Sequence, residues 1–121
     1  MVTESNVPEI NGYSTRKDLW GFLTANGADP KQSGVGYLIL AVEIVGGEAD
    51  MNRWLFKGVY AEIAKLHHVS CNAVDLSVRR VIAAIWRHNP TAFDDVFQRP
   101  LSSPPSPGSL IFALAEKYKT E

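Results

Sequence analysis

Residues 59–80 consist of two amphipathic stretches that meet at a short polar turn, in the sequence VYAEIAKLHHVSCNAVDLSVRR. Its spacing is that of two helices crossing at a tight turn. Ala64 is small enough to let the second helix pass closely, and Val69 can close the corner. Ser70 can cap the next helix, whose first buried residue is Val74. This pattern predicts a helix-turn-helix, and it constrains the fold more than any other feature of the chain.

The residue before Val69 in such a turn usually adopts a left-handed backbone conformation and is often glycine. In this chain it is His68, a residue type that tolerates positive φ better than most non-glycine residues. The sequence therefore predicts a left-handed His68.

The second helix of this motif is predicted from about Ser70 to His88, and its two faces differ in character. Residues placed at 100° intervals put one apolar stripe on the buried side. The members of that stripe are Val74, Val78, Val81 and Ile85. The opposite face is centred on Asn72, Leu76, Arg79, Ala83 and Arg87, flanked by Asp75 and Arg80. Such a face is typical of a helix that reads the major groove of DNA, and a solvated helix surface is the alternative.

Local signals predict five helices besides this second helix of the motif, and the third of the five is the motif's first helix. Their start and stop signals are Thr15 with Asp18 to Asn26-Gly27, Asp29-Pro30 to Gly46-Gly47, Asp50 to about Leu66, Thr91 with Asp94 to Phe97, and about Ser109 to Tyr118. The third of these has an apolar face of Leu55, Val59, Ile63 and Leu66. No pair of strands with a hairpin turn is evident. The predicted fold class is all-α, a six-helix orthogonal bundle that contains the helix-turn-helix.

Residues 1–13 are polar, with no apolar period, and are predicted to form a flexible N-terminal arm before a domain spanning residues 14–121. A chain of 121 residues with 45% hydrophobic content can bury one core of ordinary size. The aromatic residues Trp20, Trp54, Trp86 and Phe112 are expected to belong to that core.

Charge is unevenly distributed along the chain. Residues 53–90 carry six basic and two acidic side chains, or +4, so the remainder carries −5 in a chain whose net charge is −1. A basic middle segment favours one anion-binding face on the protein.

Other chemistries are poorly supported by the sequence. No nucleophile, base and orienting group occur together, so we expect no enzymatic activity and no cofactor. The lone Cys71 leaves no cysteine pair for zinc, and His67 and His68 point apart on a helix, so no metal site is expected. The chain has no signal peptide and no apolar run long enough to span a bilayer, which predicts a cytoplasmic protein.

Four stretches of the chain resemble one known family in order and spacing. They are GADPKQSGVGYLILAVEIV, VYAEIAKLHHVS, Arg79–Trp86 and SPGSLIFALAEKY. The chain is similar, over about Leu19–Tyr118, to the C-terminal DNA-binding effector domain of the sporulation initiation response regulator of Firmicutes. The resemblance implies six helices around a helix-turn-helix, which agrees with the helices predicted from local signals.

The resemblance also carries residue roles to the second helix of the motif. The family has a glutamate where this chain has Asp75 and an arginine where it has Arg79. It has arginines at the positions of Ala73 and Leu76, and a histidine at that of Arg80. Because an arginine can discriminate a guanine by about 1–3 kcal/mol, these two losses imply a different or weaker DNA site.

Taken with the resemblance, these features predict a sequence-specific DNA-binding transcription regulator, a stand-alone effector domain without the family's receiver domain. The predicted base contacts are Asn72, Asp75, Leu76, Arg79 and Arg80, and the predicted phosphate contacts are Arg53, Lys57, Lys65, Ser70 and Arg87. The expected partner is double-stranded DNA, with a second protomer or another regulator as a further candidate, and with no membrane or small-molecule substrate. The alternative is a degenerate helix-turn-helix module that binds another protein instead of DNA.

Overall fold

The computed structural model describes residues 8–46 and 55–118, with side chains from residues 16–46 and 58–118. Its helices are α1 Pro8–Ala25, α2 Ser33–Gly46, α3 Ala61–His67, α4 Cys71–His88, α5 Ala92–Phe97 and α6 Pro107–Lys117. A π-helical segment, Leu55–Tyr60, runs directly into α3. No strand occurs within these ranges, which confirms the all-α prediction.

Two of the N-terminal helix boundaries were predicted wrongly. Helix α1 begins at Pro8, so residues 8–13 of the predicted arm are helical, and residues 1–7 lie outside the described part. Proline suits a first helical position because the N–H it lacks has no intrahelical acceptor there. Helix α2 begins at Ser33 and not at Asp29, because the Asp29 side chain accepts a hydrogen bond from the Lys31 N–H (2.9 Å) and forms a turn.

The caps of the later helices also differ from the prediction. Thr91 precedes α5 as predicted but makes no side-chain cap; its hydroxyl donates to Asn89 Oδ1 at 2.9 Å. Helix α6 begins at Pro107, slightly earlier than predicted, because the Ser106 side chain caps it by accepting from the Ser109 N–H at 3.3 Å. The predicted cap Asp50 lies outside the described residues.

Helix α2 forms the centre of the molecule and packs against α1, α4 and α6. Most of its side chains are buried, including Tyr37 and Leu38. Its crossing with α4 is so close that a Cβ built on Gly34 would lie 2.1 Å from the carbonyl oxygen of Ser77. Glycine at position 34 therefore allows α2 to pack closely against the buried side of α4.

Several apolar residues predicted to be buried are exposed. Leu66 is 64% exposed, because it lies in the last turn of α3, where no element of the described residues covers it. The buried face of α3 consists instead of Ile63 and Ala64, next to Tyr60 at the end of the π-helical segment. Trp20, predicted as core, is 46% exposed.

The other aromatic predictions had mixed outcomes. Trp86 is half-buried and stacks on Phe93, with ring centroids 6.4 Å apart. Phe112 is also half-buried and packs against the core, whereas Trp54 lies outside the described residues. None of the described helices is both long enough and apolar enough to cross a membrane.

Candidate nucleic-acid interface

The turn between α3 and α4 has the predicted backbone. His68 adopts the left-handed conformation, with φ 57° and ψ 44°, and the Val69 N–H donates to the Ala64 carbonyl at 3.0 Å. The Ser70 hydroxyl oxygen accepts from the Ala73 N–H at 3.0 Å and caps α4. These local interactions fix the direction in which α4 leaves the turn.

Val69 does not close the corner as the sequence suggested. Val69 is 37% exposed, whereas Ile63, Ala64 and Val74 on the two helices that flank the turn are buried. Among the described residues, Val69 is therefore part of the protein surface and not of the core.

Helix α4 has the two faces that the periodicity predicts. Every member of the predicted apolar stripe has zero exposure, and Ile82 joins it. The outer face is exposed, and its members are Asn72, Leu76, Arg79, Arg80, Ala83 and Arg87. The predicted base-contact residues therefore lie on one solvent-facing surface of a helix whose other side is packed, with Asp75 as the one exception.

Asp75 and Arg79 form an ion pair on α4. The Arg79 Nε–H donates to Asp75 Oδ2 at 2.7 Å, and the exposed fractions of the two side chains are 59% for Arg79 and 16% for Asp75. The second carboxylate oxygen, Oδ1, is buried. The hydrogen bond from Arg79 to Asp75 raises the pKa of the Arg79 guanidinium. Asp75 is thus the least accessible of the predicted base-contact residues.

The buried Tyr60 lies beneath this ion pair, and no sequence feature predicted that it would be a neighbour of Asp75. The Tyr60 side chain has zero exposure. Burial raises the pKa of its hydroxyl well above the usual value of 10.0, and the nearby Asp75 charge raises it further. No sequence signal could have indicated this neighbour, because the contact depends on how the π-helical segment packs against α4.

The predicted phosphate contacts are only partly described. Lys65 on α3 and Arg87 near the end of α4 are exposed. Ser70 is exposed as well, but its hydroxyl oxygen serves as the α4 cap. Arg53 lies outside the described residues, as does the side chain of Lys57.

The proline-rich loop between α5 and α6 lies closer to this surface than the sequence indicated. A groove of about 310 Å³ separates it from α4 and is lined on the helix side by Arg79, Ile82 and Ala83. Pro104 and Pro105 form part of its other wall. The loop therefore borders the outer face of α4.

No three His, Cys, Asp or Glu side chains in the described ranges lie close enough together to hold a metal ion. The surface formed by α3, the turn and α4 consists chiefly of the exposed arginines of α4 and of Lys65 on α3.

The family comparison agrees with this geometry. The family model for the C-terminal part of the sporulation initiation factor Spo0A matches residues 20–119. The chain belongs to this family. Spo0A C-terminal domains are helical DNA-binding effector domains of a sporulation regulator. A comparison with functionally curated proteins finds no match.

Proposed function

We propose that this Spo0A C-terminal domain is a sequence-specific DNA-binding transcription regulator whose helix α4 enters the major groove. One observation carries the proposal: Asn72, Arg79 and Arg80 are all exposed on a helix whose opposite side is fully packed. A helix fixed in this way can present its polar side chains to base edges in a defined register.

Each exposed group has a suitable partner on DNA. Arg79 and Arg80 can donate to guanine, and Asn72 can pair with adenine. Leu76 is 50% exposed and offers an apolar contact for a thymine methyl group. Lys65 and Arg87 can bind phosphates on either side and so set the register of α4 in the groove.

The preferred DNA site is expected to differ from that of family members with two more arginines. Ala73 and Leu76 replace those arginines, and neither side chain can donate a hydrogen bond. Base discrimination then depends mainly on Arg79 and Arg80.

A salt titration of duplex DNA binding tests the proposal. Phosphate contacts release counterions, so the logarithm of the affinity should fall linearly with the logarithm of the salt concentration. Arg79→Ala should reduce the preference for a selected site by about 1–3 kcal/mol while binding to random duplex changes less. Lys17→Ala, which removes an exposed cation from α1, is the matched control and should change neither.

The second candidate function is docking of another protein on the same face. The exposure of Leu76 favours it, because a partner protein that removes this apolar side chain from water gains free energy from its burial. A folded protein that forms no complex with duplex DNA at low salt would refute the DNA-binding proposal and would favour docking of another protein.

A further inference from the structure

We infer that Asp75 is a positioning residue that holds Arg79 in a fixed orientation on the DNA-facing side of α4, and that it makes no base contact of its own. The inference deepens the proposed function and rests on it, because it assumes that Arg79 reads a base.

The accessibility of the carboxylate argues against a direct contact. An aspartate that reads a base would accept a hydrogen bond from a cytosine amino group in the groove. Oδ1 of Asp75 is buried, and Oδ2 already accepts from the Arg79 Nε–H at 2.7 Å. The carboxylate therefore has one buried oxygen and one oxygen that is already engaged by Arg79, whereas Leu76 and Arg79 are exposed to solvent.

The geometry of the pair suits an arginine that reads guanine. The guanidinium donates through Nε and both Nη atoms in a planar fork. Because Asp75 occupies Nε–H, the two Nη groups at the end of the side chain stay available for the O6 and N7 acceptors of one guanine. Fixing the side chain before binding also lowers the entropy lost when the complex forms.

The surroundings of Asp75 hold the carboxylate itself in place. Tyr60 is fully buried beneath it, and the π-helical segment that ends at Tyr60 packs against α4. The Asp75 charge contributes to the raised pKa of the Tyr60 hydroxyl, which is consistent with this proximity. The orientation of Arg79 is therefore set from the core outward, through Tyr60 and Asp75.

Selection of sites from a random-sequence duplex library tests this arrangement. The wild type, Arg79→Ala, Asp75→Asn and Asp75→Ala are compared position by position. Arg79→Ala should lower the preference at one base pair by about 10-fold. Asp75→Ala should lower the preference at the same base pair by about 3-fold or more, and Asp75→Asn, which keeps a neutral acceptor, should lower it less.

Affinity for random duplex should move in the opposite direction. Removing the Asp75 charge makes the α4 face more positive, so non-specific binding should stay the same or become tighter. A merely structural role would weaken both kinds of binding together. Asp95→Asn removes a carboxylate from α5 and is the matched control, which should leave the selected base pair unchanged.

Two further measurements separate positioning from contact. In the Arg79→Ala background, Asp75→Asn should have no additional effect on preference, since the residue acts through Arg79. In the free protein, the NMR signal of the Arg79 Nε–H should be protected from exchange and should lose that protection in Asp75→Ala.

The inference is overturned if the Asp75 variants alter a different base pair from Arg79→Ala, alter none, or change preference in the Arg79→Ala background. A wild type that binds DNA but shows these results leaves the proposed function intact. A folded wild type that binds no duplex at low salt overturns both.

Discussion

Replacing Gly34 by alanine should destabilise the protein strongly, because this glycine sets the distance between α2 and α4. The added Cβ would lie 2.1 Å from the carbonyl oxygen of Ser77 and 2.7 Å from Val81 Cγ2. The nearest atom belongs to the backbone, so the two helices must separate. Overpacking of this kind costs about 1–3 kcal/mol, and a clash with backbone belongs at the upper end.

A gain in helix propensity offsets part of this cost. Alanine is better than glycine in a helix interior by about 1 kcal/mol, which leaves a net loss of about 2 kcal/mol or more for Gly34→Ala. Gly36 lies in the same helix and is exposed, and a Cβ built there would meet nothing within 4 Å. Gly36→Ala therefore has the propensity gain without the clash, and should stabilise the protein by up to about 1 kcal/mol.

Thermal and chemical denaturation of the two variants measure this difference directly. For a chain of this size, a loss of about 2 kcal/mol corresponds to a fall in Tm of roughly 6–12 °C. Since α4 rests on α2 at this crossing, Gly34→Ala should also weaken DNA binding, while Gly36→Ala should not. Equal stability of the two variants would show that the helices do not approach each other as closely as described.

Three further perturbations test other parts of the molecule. Lys65→Ala should weaken binding to all duplexes alike and reduce the slope of log affinity against log salt concentration by about the amount that one phosphate contact contributes. A loss of affinity confined to one sequence would assign Lys65 to a base contact instead. Restoring arginine at both Ala73 and Leu76 should cost little stability, because Leu76 is exposed and Ala73 is only partly buried, and should increase or redirect duplex affinity. A folded double variant without duplex binding at low salt would favour the protein-docking function. Burial and the neighbouring carboxylate raise the pKa of the Tyr60 hydroxyl above 10.0. Above about pH 10 the unfolded state therefore loses this proton before the folded state does, and the free energy of unfolding should fall. The contribution of this group to the fall is at most about 1.4 kcal/mol per pH unit. Tyr60→Phe should make that fall less steep in pH-dependent denaturation, and an unchanged slope would contradict the raised pKa.

The helix-turn-helix and the two faces of α4 follow from local features of the amino-acid sequence. The cap by Ser70 and the left-handed His68 depend on neighbours within a few residues along the chain, so residue type and spacing were sufficient to predict them. The same holds for the exposed Arg79 and the buried Val78, because a regular helix rotates each residue by a fixed angle.

Which of the outer residues of α4 are accessible depends on packing between distant parts of the chain. Asp75 lies beside the outer face by periodicity, yet Tyr60 and the π-helical segment bury most of it. In the last turn of α3, Leu66 is left uncovered, and chain folding placed Pro104 beside α4. These features depend on which segments distant in sequence come into contact, and such contacts leave no periodic signal in the residues themselves.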